Sequence, residues 1–359
     1  MLVAEVALID ADLIQQRTPF PNLALMKISQ YYKRGGHTVV LKTDYERLEG
    51  FVRVIISKVF TKSFVPPEIL KLPNVKFGGT GFFYDRSPRL PARIEHIKPD
   101  YDLYLDYAEE RLKSVVDSRR KYFCDYSIGF LTRGCFRRCP FCVNRLSPGV
   151  KIHSPLSEFV DDKKSKICLL DDNFFGCPDW RRLLVELQGT KKRFQFRQGL
   201  DIRLLTTEKC SLLFSSRYDG DFIFAFDNLG ESEQVVKGLR LAREYTGRKL
   251  KFYCLCGFDY KGNYDSNFWY DDLLGLFKRF EILHSFACVP YVMRFSGCKS
   301  SPFCGIYTAA ANWANVPRFF CACSFRDFCK LKPSYWHYMQ DFERVYPALS
   351  KQIFCLSER

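Results

Sequence analysis

No uninterrupted apolar run in this chain approaches the roughly 20 residues needed to cross a bilayer. Glu5 and Asp10 interrupt the one early apolar stretch, so no basic segment followed by an apolar h-region marks a secretory leader. No internal repeat or low-complexity tract stands out, which argues against a solenoid and against disorder. Acidic residues are in short supply: 40 against 55 basic ones, a net charge of +15. These features predict a cytoplasmic protein with no membrane partner. The charge favours an anionic partner such as nucleic acid, with a generally basic surface as the plain alternative.

The chain has 359 residues, 47% hydrophobic and 26% charged, the composition of a soluble globular protein of about two domains. Sixteen cysteines is a high count. In a long chain read as cytosolic they point to metal ligation or buried thiols rather than disulfides.

Three of them stand in the run Arg133-Gly-Cys-Phe-Arg-Arg-Cys-Pro-Phe-Cys142, a C-x3-C-x2-C spacing with Phe141 just before the third cysteine. Residues 125–132 read as a buried strand feeding into it. Thiolates of Cys135, Cys139 and Cys142 on one loop can bind three irons of a [4Fe-4S] cluster and leave the fourth open. A zinc knuckle lacking its fourth ligand and three plain buried cysteines are the alternatives. The motif resembles the signature of the radical S-adenosylmethionine (SAM) superfamily. That resemblance implies that the amino and carboxyl groups of SAM chelate the open iron. One electron then splits SAM into methionine and a 5′-deoxyadenosyl radical.

The fold class expected is α/β: an N-terminal Rossmann-like parallel sheet followed by a partial (β/α)6 barrel. In the first part, strands are predicted over 3–9, 37–42, 52–59 and 75–81, with a helix over 22–34 ending at Gly35-Gly36. The turns Gly35-Gly36-His37 and Gly78-Gly79-Thr-Gly81 resemble those of the cobalamin-binding-like domain found before many radical SAM cores. That family's cobalt-ligating pattern, Asp-x-His-x-x-Gly, is missing: this chain has Asp10-Ala-Asp12-Leu-Ile, and His37 has no such context. A truncated, cofactor-free form of the domain is therefore expected ahead of a working cobalamin site; some relatives in the family bind cobalamin without the histidine, so a bound cobalamin is the alternative. The divisions predicted are 1–84 for this domain, 85–122 for a turn-rich connector, 123–297 for the core and 298–359 for a cysteine-rich extension. The connector holds a helix over 107–116 and the basic run 119–121.

Core strands are predicted over 128–131, 167–170, 194–196, 222–226, 250–256 and 289–295, and helices over 180–187, 207–215, 232–245 and 271–283. In a parallel α/β sheet or barrel the site lies at the C-terminal strand ends. The first strand delivers the cysteine loop, made cationic by Arg133, Arg137, Arg138 and Arg145. These could hold an anionic substrate, dock a reductant or simply be solvated. The second ends in Asp171-Asp172-Asn173, at the position that in the family contacts the SAM amino group. An N-cap is the plain alternative. The third supplies Gln198, Asp201 and Arg203, candidates for SAM carboxylate, ribose or substrate contacts; an Asp201–Arg203 ion pair is the structural alternative. Asp227 suits a ribose hydroxyl, Gly257 a close approach of adenine to the backbone, and Phe141 packing on that adenine. Cys254 and Cys256 read as core thiols.

Cys298, Cys304, Cys321, Cys323 and Cys329 could hold a second iron–sulfur or zinc site or be buried thiols. Residues 309–313 and 319–320 read as a helix and a strand closing the barrel mouth. Trp313 and Phe320 are expected in the core rather than stacked on a base. The function expected is radical SAM chemistry on a nucleic acid or nucleotide. An external reductant such as flavodoxin or ferredoxin would supply the electron. Modification of a peptide or small metabolite, a non-catalytic iron–sulfur protein and a zinc-binding nucleic-acid protein are the alternatives.

Overall fold

A computed structural model describes residues 4–15, 20–112 and 120–358. The end of the helix expected over 107–116, and Arg119 of the basic run, lie outside the described residues. The chain divides into two compact units, residues 1–177 with 186–194, and residues 178–185 with 195–359.

The first unit opens with strands β1 (Glu5–Asp10), β2 (Thr38–Lys42), β3 (Arg53–Ser57) and β4 (Val75–Gly78). They form a parallel sheet in the order β2-β1-β3-β4. β1 is buried from Val6 to Asp10, as a strand covered on both faces must be. The helix Leu23–Arg34 begins where the Asn22 side chain accepts from Leu25 N, an N-cap that the sequence reading placed inside the helix. Leu25, Met26 and Ile28 cover Val6 and Leu8 from one side, while Val54, Ile56 and Leu48 pack with Ala7 and Ile9 on the other. Each such side chain contributes about 1.5–3 kcal/mol by burial. The segment 85–122 is more than a connector. Tyr101, Leu103, Tyr104, Ala108 and Leu112 belong to the same core as Val6 and Leu8.

The unit continues with β5 (Tyr126–Gly129), β6 (Thr132–Arg133), β7 (Lys151–Ile152), β8 (Lys166–Leu169) and β9 (Arg193–Phe196). β5 pairs in parallel with β8; β9 carries the chain out of this unit, since Gln195 and Phe196 belong to the second. β6 and β7 pair antiparallel, with Thr132 opposite Ile152. That hairpin was not foreseen, because two-residue strands carry no periodicity.

The second unit holds β10 (Phe222–Ala225), β11 (Leu250–Cys256) and β12 (Val289–Arg294), a parallel sheet in that order. Helices Thr207–Phe214, Ser232–Tyr245 and Ser266–Ser285 fall between or beside its strands. The last runs longer than the predicted 271–283, because Asp265 caps it by accepting from Phe268 N. Five further helices follow between Cys304 and Ser357. Residues 319–320, expected as strand, lie in the helix Pro317–Ala322, where proline occupies the first turn. Trp313 and Phe320 are fully buried, with ring centroids 4.9 Å apart, alongside Phe277, Phe280 and Phe325, so they are core residues. Among the described residues no helix is long and apolar enough to cross a membrane.

Candidate functional site

β5 runs straight into the loop that carries Cys135, Cys139 and Cys142, and the β6–β7 hairpin closes that loop at its base. Gly134 makes the entry turn at φ +95°, where a Cβ would stand 2.1 Å from the Gly149 carbonyl oxygen. Ser147 Oγ accepts from Cys135 N at 3.2 Å and donates to Gly149 O at 3.0 Å. All three thiols are half-buried, and two already accept N–H donors: Cys135 Sγ from Arg137 N and Cys142 Sγ from Asn144 N, each at 3.4 Å.

The end of β8 clamps this loop. Asp171 is buried and accepts from Leu131 N at 3.2 Å, Thr132 N at 2.6 Å and Thr132 Oγ1 at 2.7 Å. Burial pushes its carboxyl up to about 7 against these hydrogen bonds, which pull the other way. Asp172 accepts from Gly134 N at 2.7 Å and from Asn144 Nδ2 at 2.6 Å. Both carboxylates, expected against the SAM amino group, are thus engaged in holding the cysteine loop. Asn173 differs. Its Nδ2 donates to Cys135 Sγ at 3.4 Å, its side chain caps no helix, and its buried Oδ1 has no hydrogen-bond partner. A buried acceptor without a donor costs about 1–3 kcal/mol, so a donor from a ligand or a water is favourable there.

A second restraint comes from the segment after β4. Tyr84 OH donates to the Phe141 carbonyl, and Asp85 pairs with Arg145 Nε at 2.5 Å. Tyr84 sits at φ 51°, ψ −114°, an uncommon conformation for a non-glycine residue. Neither residue was singled out in the sequence, since nothing local to 84–85 points to a partner beyond residue 140. Arg133 lies 4.3 Å over the Phe130 ring and 3.8 Å from Glu95, and Arg137 4.9 Å over the Phe136 ring, so three of the four loop arginines have local partners.

The second unit holds the remaining candidates. Arg203 is committed to the Asp201 carboxylate in a two-pronged pair, Nε to Oδ1 at 2.6 Å and Nη2 to Oδ2 at 3.0 Å, with Glu231 on Nη1. Its fork therefore sits in an internal ion-pair network, the structural alternative read from the sequence. Gln198 is exposed. Asp227 accepts from Leu255 N at 2.8 Å and so ties β10 to β11, and burial raises its carboxyl above the usual range. It lines a cleft of about 480 Å³ with Asn228, Asp259, Phe268 and Asp272. Gly257, at φ +76°, requires glycine on local grounds: a Cβ there would stand 2.1 Å from Cys298 Sγ. Cys254 and Cys256 are buried core thiols, as read, and Cys256 lies 4.0 Å from Cys298. Of the other C-terminal cysteines, Cys329 is buried, Cys304 and Cys323 are half-buried and Cys321 is exposed.

Among the described residues, no group of three or more His, Cys, Asp or Glu side chains gathers closely enough for a single metal ion. A mononuclear zinc site needs its donors converging at about 2.0–2.3 Å on one point. A four-iron cluster takes each thiolate on a different iron and needs the sulfurs set apart around one loop. The chemistry of the donor set fits the cluster: three half-buried thiols, N–H donors to two of them, and an amide beside Cys135 with a vacant acceptor.

At the C-terminal crest of the first sheet, Asp12 stands where the cobalt-ligating pattern has histidine. It accepts from Val59 N at 2.7 Å, Phe60 N at 3.3 Å and Ser63 Oγ. Asp10 accepts from Tyr104 OH at 2.9 Å. His37 precedes β2 and accepts from Ala4 N at 3.3 Å, at the other end of the sheet. These residues do not fit a histidine-ligated corrin.

In fold the chain is similar to solved structures of a radical SAM methyltransferase. The similarity is to the radical S-adenosylmethionine methyltransferase TsrM of Kitasatospora setae, solved with cobalamin and a [4Fe-4S] cluster bound. It covers 82% of this chain and 75% of that one, with TM-score 0.54 and 13% identity. A second structure of TsrM, with tryptophan substrate and the SAM analogue aza-SAM bound, matches over 80% of this chain and 72% of that one, with TM-score 0.52 and 13% identity. No protein-family model matches the sequence, and no curated protein matches it either.

Proposed function

We propose that the chain is a radical SAM enzyme whose cluster is held by Cys135, Cys139 and Cys142 and whose substrate is a nucleic acid. The observation that carries this reading is the cysteine loop itself, held by Asp171 and Asp172 with the Asn173 amide against Cys135. The similarity of fold to TsrM supports it. A cluster held by these three thiolates would supply the single electron for reductive cleavage of SAM, and through it a radical able to abstract hydrogen from an unactivated C–H bond.

The chain's own residues do the positioning. Asp171 and Asp172 fix the loop at both its base and its far side. Asn173 Oδ1 accepts from the SAM ammonium, which supplies the donor that this buried oxygen lacks. Phe141, its carbonyl fixed by Tyr84, packs on the adenine. Flavodoxin or ferredoxin is the reductant, docking against the arginines of the cysteine loop. The net charge of +15 favours an anionic substrate. No step is assigned to cobalamin, which TsrM binds, because Asp12 occupies the histidine position and is engaged with the backbone of 59–60. Gel filtration after addition of hydroxocobalamin tests this: loss of all corrin fits a cofactor-free domain, and retained corrin means that the domain holds cobalamin without a histidine ligand.

The test is anaerobic reconstitution of wild type and of Cys135→Ala/Cys139→Ala/Cys142→Ala, followed by iron and sulfide analysis and visible absorption. Wild type should hold close to four irons per chain and the triple variant none at this loop. Equal iron in the two proteins removes the site assignment. Asn173→Ala should keep its iron and bind SAM more weakly by about 1–3 kcal/mol, as for loss of one buried hydrogen bond to a charged group.

A further inference from the structure

We propose that the aromatic face at the end of β4 is a stacking platform for single-stranded nucleic acid. This deepens the proposed function and rests on its nucleic-acid reading. The Phe77 and Phe83 rings are parallel, with an interplanar angle of 1° and centroids 5.8 Å apart. They are 38% and 37% exposed, and Phe60, whose carbonyl lies near Gly81, is 49% exposed. Large aromatic side chains gathered at a surface are ordinarily a binding feature. Phe82 supports the pair from below, 4.9 Å from Phe77.

The platform is rigid. Gly79, at φ +104°, brings the turn so close to β3 that a Cβ would stand 2.3 Å from Lys58 O. Gly81 N donates to Lys58 O at 2.9 Å, and Thr80 Oγ1 to Val59 O at 3.0 Å. Rings held this way lose little freedom when a base stacks on them.

Charge decides the occupant. Lys58 Nζ lies 4.4 Å over the Phe82 ring and Lys62 Nζ 5.9 Å over Phe60, while exposed Lys76 precedes Phe77. The nearby carboxylates are turned to protein partners, Asp12 to the backbone of Val59 and Phe60, and Asp85 to Arg145. Exposed rings among lysines match stacked bases and a phosphate backbone, and stacking on an open ring face requires unpaired bases. The platform is also close to the candidate chemistry. Tyr84, the residue after Phe83, is bonded to Phe141 in the cysteine loop.

The probe is a fluorescein-labelled oligouridylate about 15 nucleotides long, titrated by anisotropy against reconstituted protein, with a duplex RNA of equal length for comparison. Wild type should prefer the single strand. Phe77→Ser/Phe83→Ser should weaken it at least tenfold, while Val345→Ser, an exposed apolar control in the second unit, should not. Lys58→Ala/Lys62→Ala should flatten the salt dependence. Phe77→Trp/Phe83→Trp should bind at least as tightly and show fluorescence quenching on binding, which keeps the test valid if the serine variant misfolds. Undiminished binding by a folded serine variant, or no quenching in the tryptophan variant, overturns the platform and leaves the nucleic-acid reading standing. Failure of wild type to bind either RNA overturns both. Concentration-dependent self-association lost in the serine variant would make the face a contact between copies of the chain and also overturn the platform.

Discussion

Replacing Asp171 with alanine removes the acceptor of three hydrogen bonds at the base of the cysteine loop. The Thr132 hydroxyl can rotate to another partner, but the N–H groups of Leu131 and Thr132 cannot. Each buried N–H left without an acceptor costs about 1–3 kcal/mol. Against this stands the burial of the carboxyl, which already raises its pKa to about 7 and so lowers the net gain from a charged acceptor. The expected loss is therefore about 2–5 kcal/mol, a large part of a typical domain's 5–15 kcal/mol. Denaturant unfolding of the apo chain reads the loss directly, and iron per chain after reconstitution reads the loop. Asp172→Ala is the informative comparison. Asp172 is half-buried, so water replaces part of what it gives, and its stability cost should stay near 1 kcal/mol. Its iron retention should nonetheless fall, because Gly134 N and Asn144 lose their anchor on the loop. Wild-type stability together with full iron in Asp171→Ala would refute the clamp.

Tyr84→Phe removes only the hydroxyl that holds the Phe141 carbonyl, so iron content should be kept while loss of iron to a chelator such as EDTA speeds up severalfold; an unchanged rate would remove Tyr84 from the loop's support. Gly257→Ala forces a methyl to 2.1 Å from Cys298 Sγ at positive φ and should cost at least 2 kcal/mol, partly recovered by Cys298→Gly in the same chain. Lack of recovery would mean that the backbone angle alone demands glycine. Asp10, buried against Tyr104, has its carboxyl pushed up to about 7 by burial from an ordinary 3.8. The folded state therefore holds the proton between about pH 4 and 7 where the unfolded chain has released it, and stability falls as pH rises through that window. Asp10→Asn should gain on wild type by up to about 1.4 kcal/mol for each pH unit crossed. A pH-independent difference between the two proteins would contradict the shift.

Much of the architecture was legible because parallel strands covered on both faces are written as dense apolar runs. β11 and the helix Ser232–Tyr245 fall where their patterns predicted, and the cysteine spacing singled out its loop without any structure. What escaped the sequence was the direction in which polar groups face. Asp171 and Asp172 at a strand end can equally meet a ligand or the neighbouring loop, and only packing shows that they turn to the loop. Arg203 offered a fork for a carboxylate, and the carboxylate is Asp201, two residues away. Gly257 was rightly special, with the sulfur of Cys298 against it, a contact over 41 positions that no local pattern encodes. Residues 101–112 looked like a connector because turns punctuate them, yet Tyr101 and Tyr104 are core. Tyr101 exchanges hydrogen bonds with β5, its hydroxyl accepting from Ile128 N at 2.9 Å.

The most direct test of the account is anaerobic formation of 5′-deoxyadenosine from SAM with dithionite, by reconstituted protein, with and without cellular RNA and DNA. The account predicts product from wild type, none from the triple cysteine variant, and a sharp rise when nucleic acid is added. A fully loaded cluster that yields no 5′-deoxyadenosine under any of these conditions would contradict it.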